Sequence, residues 1–478
     1  MSTLTLTRKA KKAQVNQENI ALLTDLYQLT MGQVYLAQNK NDISTFDLFV
    51  RDLPKERGYL IAAGLEQVVD YLQNLKFSKE SINTLRSLNL FSESYIKYLE
   101  DFHFSGSLYA VPEGTPIFSN EPILRIQAPR IEAQLIETLI LNVINYQTSV
   151  ATKASRVVDK AKTHVVEFGL RRAPSPQAGL YASRAAFIGG CSATSNVAAY
   201  QEFEIPVRGT MAHALIMSFA KEEEAFDAFL KEFPQSGIFL VDTYDTLEAT
   251  KNLKKYGSKV KGVRLDSGDK KDLSFKVREI LDEQGLENTK IFVSDDLNEY
   301  KIEALSNAKS PIDMYGVGTE IVIPKDIPTI SGVYKLAEDS AGPKIKLSTN
   351  KSTLPGTKQI FRYEKNGLYV KDIIGFENEN INGNALLVPI IENGNLIYNL
   401  PSINEIQTYC TKERSKIPRS YRELISELKY PVTLSDKLNS TLQLLKQKYG
   451  GCQKWKLSIG TRTLNMILWE MIKIIKEH

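Results

Sequence analysis

The fold of this chain is decided by residues 259–269, Lys259-Val260-Lys261-Gly262-Val263-Arg264-Leu265-Asp266-Ser267-Gly268-Asp269. The first half of the stretch is short and apolar in character, as in a buried strand, whereas the second half is polar, charged and glycine-containing. In parallel α/β folds, the loops that follow the carboxyl ends of the strands share one face, and that face carries the chemistry. The stretch therefore predicts a parallel strand that ends at a functional site.

The same strand pattern recurs through the middle of the chain at about the spacing of βα units. The other short apolar runs lie at residues 164–168, 237–241, 290–293 and 312–315. Helical patterns separate several of them, at residues 221–233 and 273–284. Strand and helix in alternation predict an α/β fold with a parallel sheet, which we expect to form an irregular α/β barrel.

Polar clusters follow the predicted strands, at residues 169–172, 242–245, 264–269, 294–296 and 316–319. Acidic residues also cap helices, but five such clusters are more than capping explains. Arg264 beside Asp266 and Asp269 combines an anion-binding guanidinium with carboxylates that suit ribose hydroxyls or Mg²⁺; a surface salt-bridge cluster is an equally good interpretation. The backbone N–H groups of residues 316–319 suit a phosphate, although a tight βα turn also explains these glycines.

His213, one of four histidines, lies in an apolar run directly after a Gly-Thr step. A partly desolvated imidazole can act as a general base, or as a nucleophile that accepts a phosphoryl group. The alternative is a core histidine whose ring is satisfied by a backbone carbonyl. The polar clusters elsewhere in the sequence favour a catalytic role, with a sugar phosphate or a nucleotide as substrate.

The length of 478 residues exceeds the usual limit for one hydrophobic core, which predicts two structural units. Strand-rich segments flank the barrel region, at about residues 102–129 and 332–400, and we expect them to form one smaller β-rich domain. Residues 1–150 are predicted to hold the N-terminal helices and the first part of the β-rich domain, and residues 151–330 the barrel with the active site. Residues 331–448 are predicted to hold the second part of the β-rich domain and C-terminal helices. Residues 449–478 form a tail of unclear role with an amphipathic helical pattern.

The composition is that of an ordinary globular protein, with 42% hydrophobic and 24% charged residues. A net charge of +4 over this length is too small to indicate a nucleic-acid partner. No apolar run reaches the roughly 18 residues that span a bilayer, so we expect no membrane partner. Cys191, Cys410 and Cys452 have neither a disulfide framework nor metal-ligand spacing, and we expect a reduced, cytoplasmic protein.

Six motifs, in this order, make the sequence resemble the nicotinate phosphoribosyltransferase family over nearly its full length. They are residues 23–28 (LTDLYQ), 167–172 (EFGLRR), 209–213 (GTMAH), 262–269 (GVRLDSGD), 315–319 (YGVGT) and 354–359 (LPGTKQ). The fold that this resemblance implies is an α/β barrel joined to a smaller β-rich domain built from both ends of the chain.

The resemblance implies the salvage reaction that enters NAD biosynthesis. Nicotinate, phosphoribosyl pyrophosphate, ATP and water give nicotinate mononucleotide, pyrophosphate, ADP and phosphate, a ligase-type use of ATP. The histidine that matches His213 takes a phosphoryl group from ATP, and this modification improves binding of the sugar pyrophosphate. Mg²⁺ is expected to enter with the substrate phosphates, and to link the phosphohistidine to the pyrophosphate. A homodimer is also implied, in which the tyrosine that matches Tyr27 completes the partner's site.

Individual site residues follow from the same resemblance. The positions that match the family's catalytic residues are His213, Asp266 and Arg264. Positions around the nicotinate ring are matched by Tyr27, Phe168, Arg171, Thr210 and Arg264. Positions that bind phosphoribosyl pyrophosphate are matched by Asp266 and Asp295, near the ribose and pyrophosphate, and by Gly318 and Thr319, in the loop that holds the 5′-phosphate.

Two other functions remain open at this point. A nicotinamide phosphoribosyltransferase would favour a carboxylate that accepts a hydrogen bond from the substrate amide. The loop of residues 189–196, which corresponds to an Asp-containing loop in the nicotinamide enzymes, holds hydroxyls and no acid. The second alternative is a non-catalytic ligand sensor on the same fold, which we expect to have lost His213 or an Asp. None is lost, so the sequence favours an enzyme that acts on nicotinate.

Overall fold

The N-terminal part of the chain alternates helices with short strands. The computed structural model describes residues 15–16, 18–348 and 351–450. The first elements are α1 (Leu26–Ala37), β1 (Ile43–Phe49), β2 (Leu60–Ile61), α2 (Leu65–Asn74), α3 (Lys79–Ser87), α4 (Glu93–Glu100), β3 (Ser107–Ala110), β4 (Pro116–Ile117), β5 (Pro122–Pro129) and α5 (Arg130–Leu135). Asp25 stands at the N-cap position of α1, but its side chain caps no helix N–H. Its carboxylate instead accepts a hydrogen bond from Thr138 Oγ1 (2.9 Å).

The middle of the chain is a succession of parallel strands and helices. Its elements are α6 (Glu137–Ala161), β6 (His164–Glu167), α7 (Pro176–Ile188), β7 (Ala193–Thr194), α8 (Val197–Phe203), α9 (His213–Met217), α10 (Glu222–Glu232), β8 (Ile238–Leu240), α11 (Thr246–Lys251), β9 (Gly262–Leu265), α12 (Lys270–Glu283), β10 (Lys290–Val293), α13 (Glu299–Asn307), β11 (Met314–Val317) and α14 (Thr319–Val322). β9 begins later than predicted because Asn252–Lys259 form a 3-10 segment and pairing with β10 begins at Gly262.

The C-terminal part returns to antiparallel strands. Its elements are β12 (Val333–Asp339), β13 (Gly342–Pro343), β14 (Lys358–Lys365), β15 (Leu368–Phe376), β16 (Asn384–Ala385), β17 (Val388–Glu392), β18 (Asn395–Leu396), α15 (Ile403–Ser415), α16 (Arg419–Arg422) and β19 (Val432–Leu434), followed by a helix at 436–450. The Asn-Gly pair at 393–394 has positive φ at both positions, which lets β17 and β18 form a two-residue hairpin. Most of the tail predicted at 449–478, from residue 451 onward, lies outside the described residues.

A six-stranded parallel sheet forms the centre of the α/β part, with the strand order β7-β6-β11-β10-β9-β8. The predicted parallel α/β architecture is therefore confirmed. The named strands end at β7 and β8, and beyond β7 a parallel bridge joins Thr194 to Val207. Closure into a barrel stays a prediction. The parallel arrangement places the carboxyl ends of β6, β9, β10 and β11 at the same edge, where the polar clusters follow.

A seven-stranded sheet, with the order β13-β12-β1-β5-β3-β17-β18, joins the two ends of the chain. β1 pairs with β12, and β3 pairs with β17, both antiparallel. A four-stranded sheet of β16-β14-β15-β19 and the pair β2-β4 complete the strand-rich part. The predicted β-rich unit made from both the N-terminal and the C-terminal segments is confirmed.

The long helix α6 connects the two hydrophobic cores. Its first half contributes Ile140 and Ile144 to the core beneath the seven-stranded sheet, and its second half contributes Val150 and Val157 to the core of the α/β part. The division predicted between residues 150 and 151 falls inside this helix. The two structural units therefore share one continuous element rather than a linker.

Candidate active site

A cavity of about 600 Å³ opens at the carboxyl ends of four parallel strands. Four of the five predicted polar clusters contribute to its wall, as does the segment that precedes α9. The lining residues are Phe168, Leu170, Arg171, Arg172, Ser195, Gly209, Thr210, Met211, Ala212, Arg264, Asp266, Ser294, Asp295, Asp296, Gly316, Gly318 and Thr319. The structure thus brings together eight of the predicted site residues in one cavity: Phe168, Arg171, Thr210, Arg264, Asp266, Asp295, Gly318 and Thr319.

Arg264 is the centre of the hydrogen-bond network in this cavity. It is placed by β9, and its guanidinium donates to Ser294 Oγ (2.9 Å), Thr210 Oγ1 (3.3 Å), the Met211 carbonyl (3.1 Å) and Asp266 Oδ1 (3.0 Å). These partners come from three separate loops. A planar guanidinium with several fixed donors can hold such loops in one arrangement, which a lysine cannot.

Asp266 remains ionised over a wide pH range. Burial raises the pKa of its carboxyl, but the hydrogen bond from Ser294 and the charge of Arg264 outweigh burial, so the pKa lies below its usual value. The backbone N–H of Asp266 donates to Asp242 Oδ2 (2.8 Å), which also accepts from Ser267 Oγ (2.6 Å). The cluster at residues 242–245, which does not line the cavity, therefore supports the loop of Asp266 through Asp242.

His213 lies at the rim of the cavity, as the first residue of α9. Its Nδ1 is 3.1 Å from Thr243 Oγ1, and its Nε2 is 3.7 Å from Asp266 Oδ2. The side chain is 38% exposed. The ring is therefore held between a hydroxyl and a carboxylate while it remains accessible from solvent, which is unlike a histidine satisfied within a core.

Phe168 forms an apolar wall of the cavity. Its ring packs edge-on against Phe292 (5.6 Å between centroids), and the Arg264 guanidinium lies 5.9 Å from its centroid. Gly316 makes room for this ring, since a Cβ there would lie 2.8 Å from Phe168 Cδ2. The wall offers a flat surface on which a heteroaromatic ring can stack.

The loops after β10 and β11 are suited to phosphates and hydroxyls. Gly318 precedes Thr319, the first residue of α14, and a Cβ on Gly318 would approach the Phe168 carbonyl oxygen to 3.1 Å. Asp295 adopts φ = +109°, a left-handed conformation that is strained for any residue but glycine. Lys270 Nζ lies 3.4 Å from Asp295 Oδ2. The ion pair with Lys270 helps to hold the Asp295 loop at the cavity in spite of this strain.

Arg171 and Arg172 follow the wall residue Phe168 in a 3-10 turn and are exposed. Within the part of the chain that the structure describes, neither guanidinium makes an ion pair. In the 189–196 loop, Ser195 lines the cavity, whereas Cys191 is buried away from it. This side of the cavity therefore presents positive charge and a hydroxyl.

Tyr27 does not line the cavity of its own chain. It lies on α1 and is 50% exposed, beside other exposed apolar side chains of the same segment: Leu23, Leu26, Met31 and Val34. The structure therefore separates this one predicted site residue from the rest.

Four residues that support the site were not singled out from the sequence. Thr243 and Ser294 lie within or beside predicted polar clusters, so their position after a strand is a usable signal. Lys270 follows such a cluster directly. Glu167 is buried at the end of β6 and accepts hydrogen bonds from Thr194 Oγ1 (2.6 Å) and the Gly169 N–H. Burial raises the pKa of Glu167 more than these hydrogen bonds lower it.

Two other kinds of feature are absent from the described residues. No cluster of three or more His, Cys, Asp or Glu in these residues has a metal-binding arrangement. Among the same residues, no helix is long and apolar enough to cross a membrane.

Comparison with known proteins identifies the family. The nicotinate phosphoribosyltransferase (NAPRTase) N-terminal domain matches residues 22–145, the NAPRTase family matches 163–335, and the C-terminal domain of the same enzymes matches 379–442. A nicotinate phosphoribosyltransferase of Mycobacterium tuberculosis is 40% identical over 441 residues, which cover 90% of this chain and 95% of the relative. The corresponding Bacillus subtilis protein is 39% identical over 459 residues, covering 88% and 94%.

Solved structures agree with these relatives. Human nicotinic acid phosphoribosyltransferase superimposes with a TM-score of 0.79 at 27% identity, covering 88% of this chain and 99% of the human chain. A nicotinate-nucleotide pyrophosphorylase from Pyrococcus furiosus superimposes with a TM-score of 0.72 at 27% identity, covering 85% of this chain and 99% of the Pyrococcus chain. Three family domains, relatives at about 40% identity and a shared fold agree, and the chain belongs to the nicotinate phosphoribosyltransferase family.

Proposed function

We propose that this protein joins nicotinate to phosphoribosyl pyrophosphate, forming nicotinate mononucleotide and pyrophosphate in NAD salvage, and that it couples this reaction to ATP. The observation that carries the proposal is the network of Arg264, which links the aromatic wall at Phe168 to Asp266 within one cavity. The base and the sugar must meet at such a junction for the ring nitrogen to attack C1′.

Nicotinate stacks on Phe168 in this proposal. Arg171 and Arg172 attract its carboxylate, and Thr210 and Ser195 offer hydroxyls at the same wall. An anionic substrate suits these groups, whereas nicotinamide gains nothing from the two guanidinium groups. Nicotinate is therefore the preferred base.

Phosphoribosyl pyrophosphate occupies the polar part of the cavity. Gly318 and Thr319 hold its 5′-phosphate through backbone N–H groups and a hydroxyl, and Asp266 and Asp295 hold the ribose hydroxyls. As pyrophosphate leaves, C1′ becomes oxocarbenium-like, and a preorganised carboxylate beside it stabilises the positive charge. The ionised state of Asp266 supports this role.

The cavity also suits Mg²⁺ that arrives with the substrate. Asp295 and Asp296 line the wall, and carboxylate oxygens are the ligands that this hard cation prefers. When bound with pyrophosphate, Mg²⁺ neutralises negative charge on the leaving group.

His213 accepts a phosphoryl group from ATP in this proposal. A ring nitrogen attacks the γ-phosphorus, an N–P bond forms, the bond to the β,γ-bridging oxygen breaks, and ADP leaves; water later releases phosphate and restores the imidazole. The accessible ring supports the proposal, because it lies at the rim between Thr243 and Asp266. The phosphorylated histidine favours binding of the sugar pyrophosphate through Mg²⁺.

We expect a homodimer, in which each subunit completes the site of its partner. The exposed apolar residues of α1 include Leu26, Tyr27 and Val34, and such a surface is typical of a protein interface. In a symmetric pair, Tyr27 of one subunit reaches the aromatic wall of the other.

A product assay tests the proposal. Nicotinate or nicotinamide is incubated with phosphoribosyl pyrophosphate and Mg²⁺, with and without ATP, using wild type and His213→Ala. We expect nicotinate mononucleotide, with a stimulation by ATP that the variant lacks. Product formed with nicotinamide but not with nicotinate would contradict the assigned base. No product from either base would support a non-catalytic sensor.

The role of Mg²⁺ has its own test. The affinity of the phosphorylated enzyme for phosphoribosyl pyrophosphate is measured with and without Mg²⁺, and we expect a strong dependence on the ion. An affinity that does not change would show that the phosphohistidine acts by another route.

A further inference from the structure

Lys153 is a buried cation at the centre of a cluster of acids. It lies in the middle of α6 and is 1% exposed. Its Nζ is 2.7 Å from Glu299 Oε2, 3.1 Å from Asp326 Oδ1 and 3.5 Å from Glu320 Oε2. Burying an ammonium group is costly unless carboxylates compensate it, and here three do so.

These three acids belong to the segments that carry the cavity residues. Glu299 begins α13, directly after the loop that contains Asp295 and Asp296. Glu320 follows Thr319 in α14, and Asp326 lies in the loop after it. One ammonium group on α6 therefore contacts both the segment after β10 and the segment after β11.

The surrounding cations balance the cluster. Arg156 Nε is 3.2 Å from Glu299 Oε1, and Arg57 Nη1 is 3.0 Å from Asp326 Oδ2. Lys325 Nζ is 3.3 Å from Glu320 Oε1 and 3.8 Å from Asp296 Oδ1, at the cavity wall. Burial raises the pKa of Asp326, but Arg57 and Lys153 outweigh burial and hold it well below its usual value. Asp326 is thus ionised at neutral pH and forms an ion pair with Lys153.

Ion clusters of this kind add little net stability compared with an apolar core, but their geometry is strict. Gly318 and Thr319 follow β11, Asp295 follows β10, the neighbouring strand, and all three residues line the cavity. A ligand held by both loops binds well only when their separation is correct.

We propose that Lys153 is a positioning residue that sets the spacing between the Gly318–Thr319 loop and the Asp295–Asp296 loop for phosphoribosyl pyrophosphate. The inference rests on the proposed function, since it assigns this ligand to the two loops. Lys153 touches neither substrate. It acts through Glu299, Glu320 and Asp326.

The test compares Lys153→Met with Lys160→Met, a matched control on the same helix. Lys160 also bridges α6 to α13, through Glu303 (2.9 Å), and lies 3.4 Å from Glu423, but its ammonium group pairs with none of the three acids around Lys153. We expect Lys153→Met to raise the KM and Kd for phosphoribosyl pyrophosphate by roughly 10-fold or more, with a smaller change in the KM for nicotinate. Lys160→Met should change the KM and Kd for phosphoribosyl pyrophosphate and the KM for nicotinate by no more than about 2-fold.

Two further variants keep the inference testable. Lys153→Arg retains the charge, so it should recover part of the affinity. If Lys153→Met does not fold, Glu320→Gln removes one charge of the cluster, and it should raise the Kd for the sugar pyrophosphate in the same direction. Equal losses for both substrates, or an unchanged Kd in a folded variant, would overturn the inference. An inactive wild type would instead contradict the proposed function.

Discussion

The strand-rich part of this protein and the cavity edge of the parallel sheet hold their charged residues in different ways. In the strand-rich part, cations are buried and paired: Arg125 with Glu377, Lys358 with Asp47, and Arg362 with Asp372. At the edge of the parallel sheet, Arg171 and Arg172 are exposed and make no ion pair with the described residues, and Asp295 is held in a strained conformation. Charges that are already paired within the fold hold chain segments together, whereas charges left open at one edge await a ligand.

This contrast predicts different consequences for substitutions of the same kind. Removal of a cation from the strand-rich part should affect stability, and removal of a cation from the cavity should affect catalysis. Four predictions test this separation.

The largest effect is expected for Arg362→Met, which affects stability. Arg362 contacts Asp372 (2.6 Å) and Glu121 (3.6 Å), and both acids are fully buried. Removing the guanidinium leaves the buried Asp372 without its cation, which costs about 3–5 kcal/mol of unfolding free energy. Urea unfolding measures the loss, and Arg86→Met, at an exposed ion pair, should change stability far less. Similar values for the two variants would contradict the assigned role.

Arg264→Met should affect catalysis. The variant loses all four hydrogen-bond partners of the guanidinium, so kcat/KM for nicotinate should fall by about 10²–10³-fold. Arg264→Lys keeps the charge but not the planar fork, and an intermediate loss is expected. A fall in stability as large as that of Arg362→Met, with kcat/KM unchanged, would remove the distinction between the two regions.

Glycine substitutions extend the test. In Gly316→Ala, the new Cβ displaces the Phe168 ring, so the KM for nicotinate should rise several-fold while that for phosphoribosyl pyrophosphate changes little. Gly106→Ala is the counterpart directly before β3 of the seven-stranded sheet, where the Cβ would meet the backbone oxygen of Gln127 at 2.7 Å. Overpacking there should cost about 1–3 kcal/mol of stability, with both KM values retained. Steady-state kinetics of both variants measures the two KM values, and urea unfolding measures the change in stability.

The smallest effect concerns pH. Burial raises the pKa of Asp42, but hydrogen bonds from Ser340 and the charge of Arg130 outweigh it, and the pKa is about 2 rather than 3.8. A lowered carboxyl pKa contributes stability above pH 3.8, and this contribution is lost as the pH falls toward 2. Asp42→Asn should therefore be less stable than wild type at pH 6, by about 1 kcal/mol, and the difference should shrink below pH 3.8. Unfolding curves at pH 6 and pH 3 provide the measurement; a difference that grows in acid would contradict it.

Much of the cavity could be predicted from the sequence because its signals are local. Each strand and the polar cluster after it are adjacent in the chain, so Arg264, Asp266, Asp295, Gly318 and Thr319 could be assigned to one edge before the structure was known. The contact of His213 with Thr243 could not, because it depends on where α9 packs.

The long-range features had no local signal. Two strand-rich segments could be recognised, but nothing in their pattern indicates that β1 pairs with β12 and β3 with β17. Lys153 is a lysine within a helix, which ordinarily lies at the surface. Its burial depends on three acids that follow far later in the sequence, and only the tertiary structure brings them together.

The pairing of β3 with β17 has a consequence for the newly made chain. During synthesis, β1, β3 and β5 leave the ribosome first, while β12 and β17 are made only after the whole parallel sheet. The outer edges of the early strands therefore stay unpaired through most of translation, and open strand edges invite association with other chains. Because α6 also contributes to both cores, the nascent polypeptide reaches its native state late, once its final third has been added.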